Sequence, residues 1–564
     1  MKQKLNTTVH ISAILFFLSL TTFSSLYAQS GLWTWVHGDS AYYTSPQYGI
    51  MGIADSSNVP PGLYAPVYWT GKDGKFWIYG GKDYNSGYYS DLWQFDPDTR
   101  MWTWVKGDSG LVNQPPTYGI RGVSSPTNSP GCRGLGCPAW TDTSGNLWLY
   151  GGYVKNRTGT IQYNAMNDLW KYDIQTNEWT WMQGDSVRTP RVLGTKYVSS
   201  PANTPGWKDE CSDSWVDANN NFWFYGGGED FWPEQLLWRY SPSTNEWTWM
   251  SGSNVFTQGH YGTKGVFDTL NYPGKRFAHT SWTGVDGKFW LFGGSYTGLV
   301  YDKFLNDLWC FDPMQNAWAW YAGDDSISAY GHYGAECVPA DTVTPANGIE
   351  GRAAWTDQDG NLWKFGGKYE NPANAYTYNQ SLLWCFYMQT KSWMLVNSPV
   401  PNPNNNLDVQ RQFGVLGIPD VNSHPGSRCG TASFKDRNGV FYLFGGLTKT
   451  APGPLGGGLD ITVNDMWSYE PDPACLIIAD VNEPQANGVE VTVFPNPATY
   501  ELTIKQSDGN YFERFDMLNL NGQLIHSGKI GIEAKLSVET FTSGVYFLRL
   551  YNATDFRFFK VLIQ

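Results

Sequence analysis

Six glycine pairs constrain this chain more than any other feature. They stand at Gly80-Gly81, Gly151-Gly152, Gly226-Gly227, Gly293-Gly294, Gly366-Gly367 and Gly445-Gly446. A recurrence of roughly 70 residues signals one supersecondary unit used repeatedly. Each pair closes an aromatic-rich run such as Lys75-Phe76-Trp77-Ile78-Tyr79. Before it lies another run, ending near Trp69, Trp140, Trp215, Trp282, Trp355 or Phe434. Turns such as Asp73-Gly74 and Asp286-Gly287 join the two, which is hairpin chemistry because these residues tolerate positive φ. A third run follows, as in Asp168-Leu169-Trp170-Lys171-Tyr172-Asp173, and then a fourth, as in Trp179-Thr180-Trp181. Four antiparallel strands per unit, repeated about an axis, predict an all-β, six-bladed propeller.

The sixth unit lacks its fourth run after Asn464-Asp465-Met466-Trp467-Ser468-Tyr469. An orphan Trp33-Thr34-Trp35 stands near the start of the chain and continues as Gly38-Asp39-Ser40, like Gly107-Asp108-Ser109 after another fourth run. The N-terminal strand is therefore expected to complete blade six and so remove an exposed sheet edge. The repeated residues resemble the kelch repeat, also found in the central domain of galactose oxidase. Arg276-Phe277-Ala278-His279, the glycine pair, and Asn306-Asp307-Leu308-Trp309 carry the likeness. The period departs from kelch units of about 50 residues, with the excess between the fourth strand of one unit and the first of the next.

The two ends read as addresses. Lys2 and Lys4 precede an apolar run, Ile11 to Leu20, and Leu26-Tyr27-Ala28 ends in a small residue. This predicts a signal peptide over 1–28, cleaved between Ala28 and Gln29. The propeller is expected over 29–478, a linker over 479–488, and a small β-sandwich over 489–564. The last segment holds period-2 runs closed by turn residues. Phe494-Pro495-Asn496-Pro497-Ala498, Leu520-Asn521-Gly522-Gln523-Leu524, Ser543-Gly544-Val545-Tyr546-Phe547-Leu548-Arg549-Leu550 and Phe559-Lys560-Val561 occur in the order of a type IX secretion system type A C-terminal sorting domain, which this segment resembles. The resemblance implies export through periplasm and outer membrane by the type IX machinery, and a secreted or cell-surface product. No membrane-spanning helix is expected in the mature chain, because about 20 apolar residues are needed to cross a bilayer.

Lys+Arg 38 against Asp+Glu 51 gives a net charge of −13. That excludes a nucleic-acid partner, which wants a cationic surface. Aromatics at 16% exclude an acidic disordered chain. Of the 29 Trp, all but Trp207 and Trp232 fall on repeat positions, where packing blade against blade explains them. These two lie on unit three's loops, near Asp209, Glu210, Glu229, Asp230 and Glu234. They are candidates for a carbohydrate or cation-assisted ligand site, with loop packing as the alternative. A second candidate is a ring of cations, Arg133, Lys208, Arg276 and Arg428, just before the first strand of four units. It would receive an acidic sugar or carboxylate, unless those side chains bond loop carbonyls. The fourth-to-first loops, about 30 residues each, are long enough to suggest function and are expected to decorate one face.

Asp357-Gln358-Asp359-Gly360-Asn361 resembles the start of a calcium loop, but Lys368 stands at the twelfth position and a hairpin explains the rest. No copper ligand of galactose oxidase carries over, and no metal or cofactor is expected. Cys132 and Cys137 bracket one short loop and are expected to bridge in an oxidising compartment. Cys310 and Cys385 read as buried hydrophobes. The expected function is an exported binding protein presenting its loop face to a glycan or protein. The alternatives are an extracellular carbohydrate-active enzyme at the channel mouth, marked by carboxylates about 5–10 Å apart, and a structural surface protein.

Overall fold

The computed structural model describes residues 31–476 and 491–563, apart from 43, 156–162, 209–212, 230–231, 254, 256–257, 297–302, 374–375, 400–407, 451–457, 474, 497, 508–510, 520–523, 543 and 553–555. The expected signal peptide, with Ala28 and Gln29, and the expected linker lie outside them.

Six sheets of four main strands surround an axis, with inner strands Val67–Thr70, Ala139–Thr141, Asp213–Val216, Thr280–Thr283, Ala353–Thr356 and Ala432–Lys435. Each inner strand neighbours the next, and the sixth returns to the first, so the ring is closed. In the sixth sheet, Trp33–His37 pairs antiparallel with Met466–Tyr469, Trp33 opposite Tyr469 and Trp35 opposite Trp467. The fold is thus an all-β, six-bladed kelch-type propeller followed by a small sandwich.

The glycine pairs have a physical reason. Gly80 and Gly81 both take positive φ. A Cβ at Gly80 would meet the Arg133 carbonyl oxygen of the next blade at 2.6 Å. The Gly81 amide donates to that same oxygen at 2.7 Å. The pattern recurs from Gly152 to Lys208, Gly227 to Arg276, Gly294 to Gly348, Gly367 to Arg428 and Gly446 to Leu63. Each unit therefore needs a residue without Cβ where a neighbouring backbone passes.

The inner-strand indoles bind the same seams. Trp69 donates to the Trp148 carbonyl, Trp140 to Trp223, Trp215 to Trp282, Trp282 to Trp363 and Trp355 to Phe434, each reaching the next blade. Blade six has Phe434 instead, which has no N–H to give. It stacks on Phe76 of blade one, centroids 4.6 Å apart.

The fourth-to-first loops do not stand on one face as expected. Each runs down the outer edge of the blade it enters. Gly52 donates to the Trp104 carbonyl, Gly122 to Trp181, Tyr197 to Trp249, Gly265 to Trp320, Cys337 to Leu395 and Gly417 to Trp35. Four of these covers are pinned by a buried asparagine, as where the Asn128 amide donates to the carbonyls of Val123 and Trp179. The loop length thus covers backbone that would otherwise be an open sheet edge.

The expected Cys132–Cys137 bridge is absent. Both are buried free thiols, and the turn at Leu135, with φ of 62°, separates them. Cys132 packs with Tyr88, Tyr153 and Met166, while Cys137 faces Val67 and Leu149. The disulfide joins Cys337 to Cys475. Cys310 and Cys385 are buried free thiols.

The C-terminal unit is two sheets, Val491–Phe494, Glu501–Gln506 and Glu533–Ser537 in one, and Leu524–Lys529, Arg514–Asn519, Gly544–Tyr551 and Phe556–Ile563 in the other. Leu502, Ile504, Phe515, Met517, Leu548 and Val561 are among the side chains buried between them.

Candidate binding site at the channel mouth

The four cations singled out in the sequence do not line the mouth. All are buried. The Arg133 guanidinium meets Asp168 at 2.6 Å, and Arg276 grips Asp307 through two nitrogens. Arg428 and Arg411 share Asp465, and the Lys208 ammonium lies 2.8 Å from Glu234, which also holds Arg191. Loop carbonyls take further bonds, as from Lys208 to Pro205 and Arg276 to Pro273. Buried pairs of this kind fasten the segment before the inner strand to the middle of its own blade and leave little for a ligand.

Trp207 is half-buried, and the Arg188 guanidinium lies 3.9 Å above its ring. The backbones of Glu229 and Trp232 pair in a short two-stranded hairpin. Asp230, Asp209 and Glu210 lie outside the described residues. Asp357 accepts from the Asp359 and Asn361 amides and the Trp363 indole, so its carboxylate closes the hairpin.

The loop face holds a different cluster at the axis. Residues at the heads of the inner strands take positive φ, among them Ala65, Ala278, Glu350 and Gly430. Their backbones link blade to blade: Glu350 donates to Ala278, Gly430 to Glu350, Ala65 to Gly430 and Gly136 to Ala65. Around this collar stand Lys82 of blade one, Lys155 of blade two and Lys368 of blade five. Lys368 lies 3.7 Å from the Glu350 carboxylate. The Lys82 ammonium sits 3.8 Å over the Tyr84 ring. Burial holds Lys82 below the ordinary lysine range. Lys155 and Lys368 push it the same way, and Glu350 opposes them. Among the described residues, neither Lys82 nor Lys155 has a carboxylate within ion-pair distance. The arrangement can hold an anion with an apolar face against Tyr84.

Along the channel runs a cavity of about 350 Å³, lined by Tyr68, Thr70, Ser214, Arg352, Thr356 and Lys435, among others. Thr141 donates to the Thr70 carbonyl, Thr356 to Thr283 and Lys435 to Thr356, so these groups also tie blades together. None of its described lining residues is a carboxylate. No group of three or more His, Cys, Asp or Glu among the described residues is placed to hold a metal ion.

Sequence reasoning missed the lysines because no local pattern marks them. Lys82 and Lys368 directly follow their glycine pairs, whereas Lys155 stands two residues further along. Only ring closure brings blades one, two and five to one axis.

Residues 492–564 match the family described as secretion system C-terminal sorting domain. The chain thus carries a type IX sorting domain and is exported to the cell surface or extracellular space. N-acetylneuraminate epimerase of Shigella boydii serotype 4 is 29% identical over 136 residues, 22% of this chain and 35% of that protein. The epimerase of Escherichia coli strain K12 is 27% identical over the same length. Mei4-dependent protein 6 of Schizosaccharomyces pombe is 22% identical over 391 residues, 68% of this chain and 44% of that protein. The chain thus spans less than half the length of these relatives. The solved structure of YjhT covers 72% of this chain and 95% of its own, at 14% identity and a TM-score of 0.43.

Proposed function

We propose that this exported propeller is a binding protein that takes a carboxylate-bearing glycan at the loop-face mouth of its channel. The observation that carries the reading is the convergence of Lys82, Lys155 and Lys368 beside Tyr84, on a chain whose net charge is −13. A cationic recess in an acidic molecule focuses the field on an arriving anion. The curated relatives named for N-acetylneuraminate, a sugar acid, support the same ligand class.

Calorimetric titration of the full chain with N-acetylneuraminate and with its neutral parent sugar, N-acetylmannosamine, tests the reading. The acid binds, the neutral sugar does not, and the affinity falls as salt rises. Lys82→Ala with Lys155→Ala weakens binding about tenfold or more, the loss of about 1.4 kcal/mol or more of charge-assisted contact. Equal affinity in the double variant sinks the proposal.

A second reading has one observation behind it. Lys82, held below its usual range, shares the mouth with Glu350, and an amine and a carboxylate so placed can exchange protons with a sugar. An epimerase activity would appear as faster equilibration of the sugar's anomers by proton NMR and would be lost in Glu350→Gln. Binding without faster equilibration leaves the binding reading alone.

A further inference from the structure

One place in the second strand of every blade lies opposite the residue that precedes the inner-strand indole or Phe434. Ile78, Leu149, Phe224, Leu291 and Leu443 fill it in blades one, two, three, four and six. All five are buried. Blade five puts Lys364 there, opposite Ala354. Lys364 is only 4% exposed. Among the described residues, no carboxylate and no hydrogen-bond acceptor engages its amine. An ammonium buried without a partner is costly, and the other five blades show that the fold asks only for an apolar side chain here. Burial alone lowers the amine, to about 8 from 10.5. A share of it is therefore neutral near neutral pH, with a lone pair that no bond uses.

The surroundings suit a nucleophile. The amine lies 5.1 Å from the centroid of the Phe292 ring of blade four. A Cβ at Gly351 would stand 2.9 Å from the Thr280 hydroxyl oxygen and 3.7 Å from Cε of Lys364. That hydroxyl is already committed, donating to the Gly351 carbonyl at 2.9 Å. Gly351 has no side chain and leaves the point open. The residue after it, Arg352, lines the channel cavity of about 350 Å³, as does Ala354. The amine is thus one bond beyond an atom that borders this gap, directly behind the channel wall.

We propose that Lys364 is a covalent binding site for a small open-chain carbonyl compound that enters along the channel. The nitrogen lone pair attacks the carbonyl carbon, and the nitrogen gives one proton to the oxygen. The carbinolamine so formed then loses water: the hydroxyl leaves with the second nitrogen proton, and a C=N bond stands where the C=O bond was. Nothing is oxidised or reduced. A desolvated lysine in an apolar pocket is activated for this attack because its neutral form is favoured. The step needs no ligand on the lysines at the mouth.

The test is made with the full chain, incubated with pyruvate or with propanal in the presence of cyanoborohydride, which reduces an imine to a stable secondary amine. Modified peptides are then identified by mass spectrometry. The expected result is a first equivalent added at Lys364, about tenfold faster than at exposed lysines. Fast labelling by pyruvate alone assigns a 2-oxo acid as the ligand, and fast labelling by propanal assigns the carbonyl group itself as the feature recognised. Lys364→Leu, which installs the residue of blades two, four and six, loses the fast equivalent and melts no lower than the parent. If that variant does not fold, Lys364→Met is read in its place. Modification of exposed lysines with Lys364 left untouched by both probes overturns the proposal. A fast equivalent that survives in the folded Lys364 variant overturns it as well.

Discussion

At the scale of single residues, the blades repeat one buried ion pair and then vary it in ways that expose its logic. Blades two, four and six hold Arg133–Asp168, Arg276–Asp307 and Arg428–Asp465. In blade five, Gly348 and Leu382 stand at the two positions, so both charges are missing together. Blade three uses Lys208 with Glu234. Blade one is unbalanced: Leu63 stands where the arginine belongs, but Asp91 remains, buried, accepting only from the Tyr48 hydroxyl and the Trp93 indole among side chains. Burial pushes its carboxyl up to about 6 from 3.8. A carboxyl raised on folding contributes stability that is full below its unfolded value and lost as pH rises through the folded one. Asp91 therefore favours the native state at pH 4 relative to pH 7, by about 2 kcal/mol. Asp91→Asn removes that slope. Calorimetric melting should show Tm at pH 4.5 minus Tm at pH 7.5 shifted to a lower value in the variant than in the parent, and an unchanged value contradicts the argument.

At the scale of elements, the strands were legible because they obey local rules: alternating apolar residues, Asp-Gly turns, and glycine pairs where a neighbouring carbonyl passes. The edge covers were not legible. Their contacts are backbone bonds such as Gly122 to Trp181, which any residue can make, and their turns bear exposed apolar residues such as Ile120 and Val123. Length alone suggested function, when it serves to shield the fourth strand. The buried cations misled for a related reason. The arginine before the inner strand of blades two, four and six looks available until its aspartate, some 30 residues or more later in sequence, is folded over it. One residue type did encode the covers: Asn58, Asn128, Asn203 and Asn271 recur at equivalent places, each bonding its own loop and its blade's outer strand. Asn128→Ala leaves two carbonyls without their donor, one of them buried in the blade, a cost of about 1–3 kcal/mol. Hydrogen exchange should accelerate across Gly122 to Asn128 while affinity at the channel mouth stays unchanged. Unaltered exchange there would mean that the backbone bonds alone hold the cover.

At the scale of the whole molecule, a closed ring must be fastened where its two ends meet, and three devices converge on that seam. Trp33–His37 pairs with Met466–Tyr469, and the Gly31 amide donates to the Glu470 carbonyl. Trp33 is buried against Phe365 of blade five and Tyr469 of blade six. The Cys337–Cys475 disulfide then ties the edge cover of blade five to the segment leaving blade six, in the same apolar cluster as Trp33. Export carries the chain through compartments where such a bond persists. It spans 138 residues of sequence, and a loop of about that length favours the native state by up to about 5 kcal/mol through restriction of the unfolded chain. Cys337→Ser with Cys475→Ser should therefore lower Tm, and the parent treated with a reductant should fall to the same value. Because the bond lies over the start of the N-terminal strand, its loss should also speed proteolytic cleavage near Gly31 before any other site in the ring. If Tm falls but cleavage begins elsewhere, the disulfide acts only on the unfolded chain. If cleavage begins at Gly31, the bond is also the latch that keeps the first strand seated in the last blade.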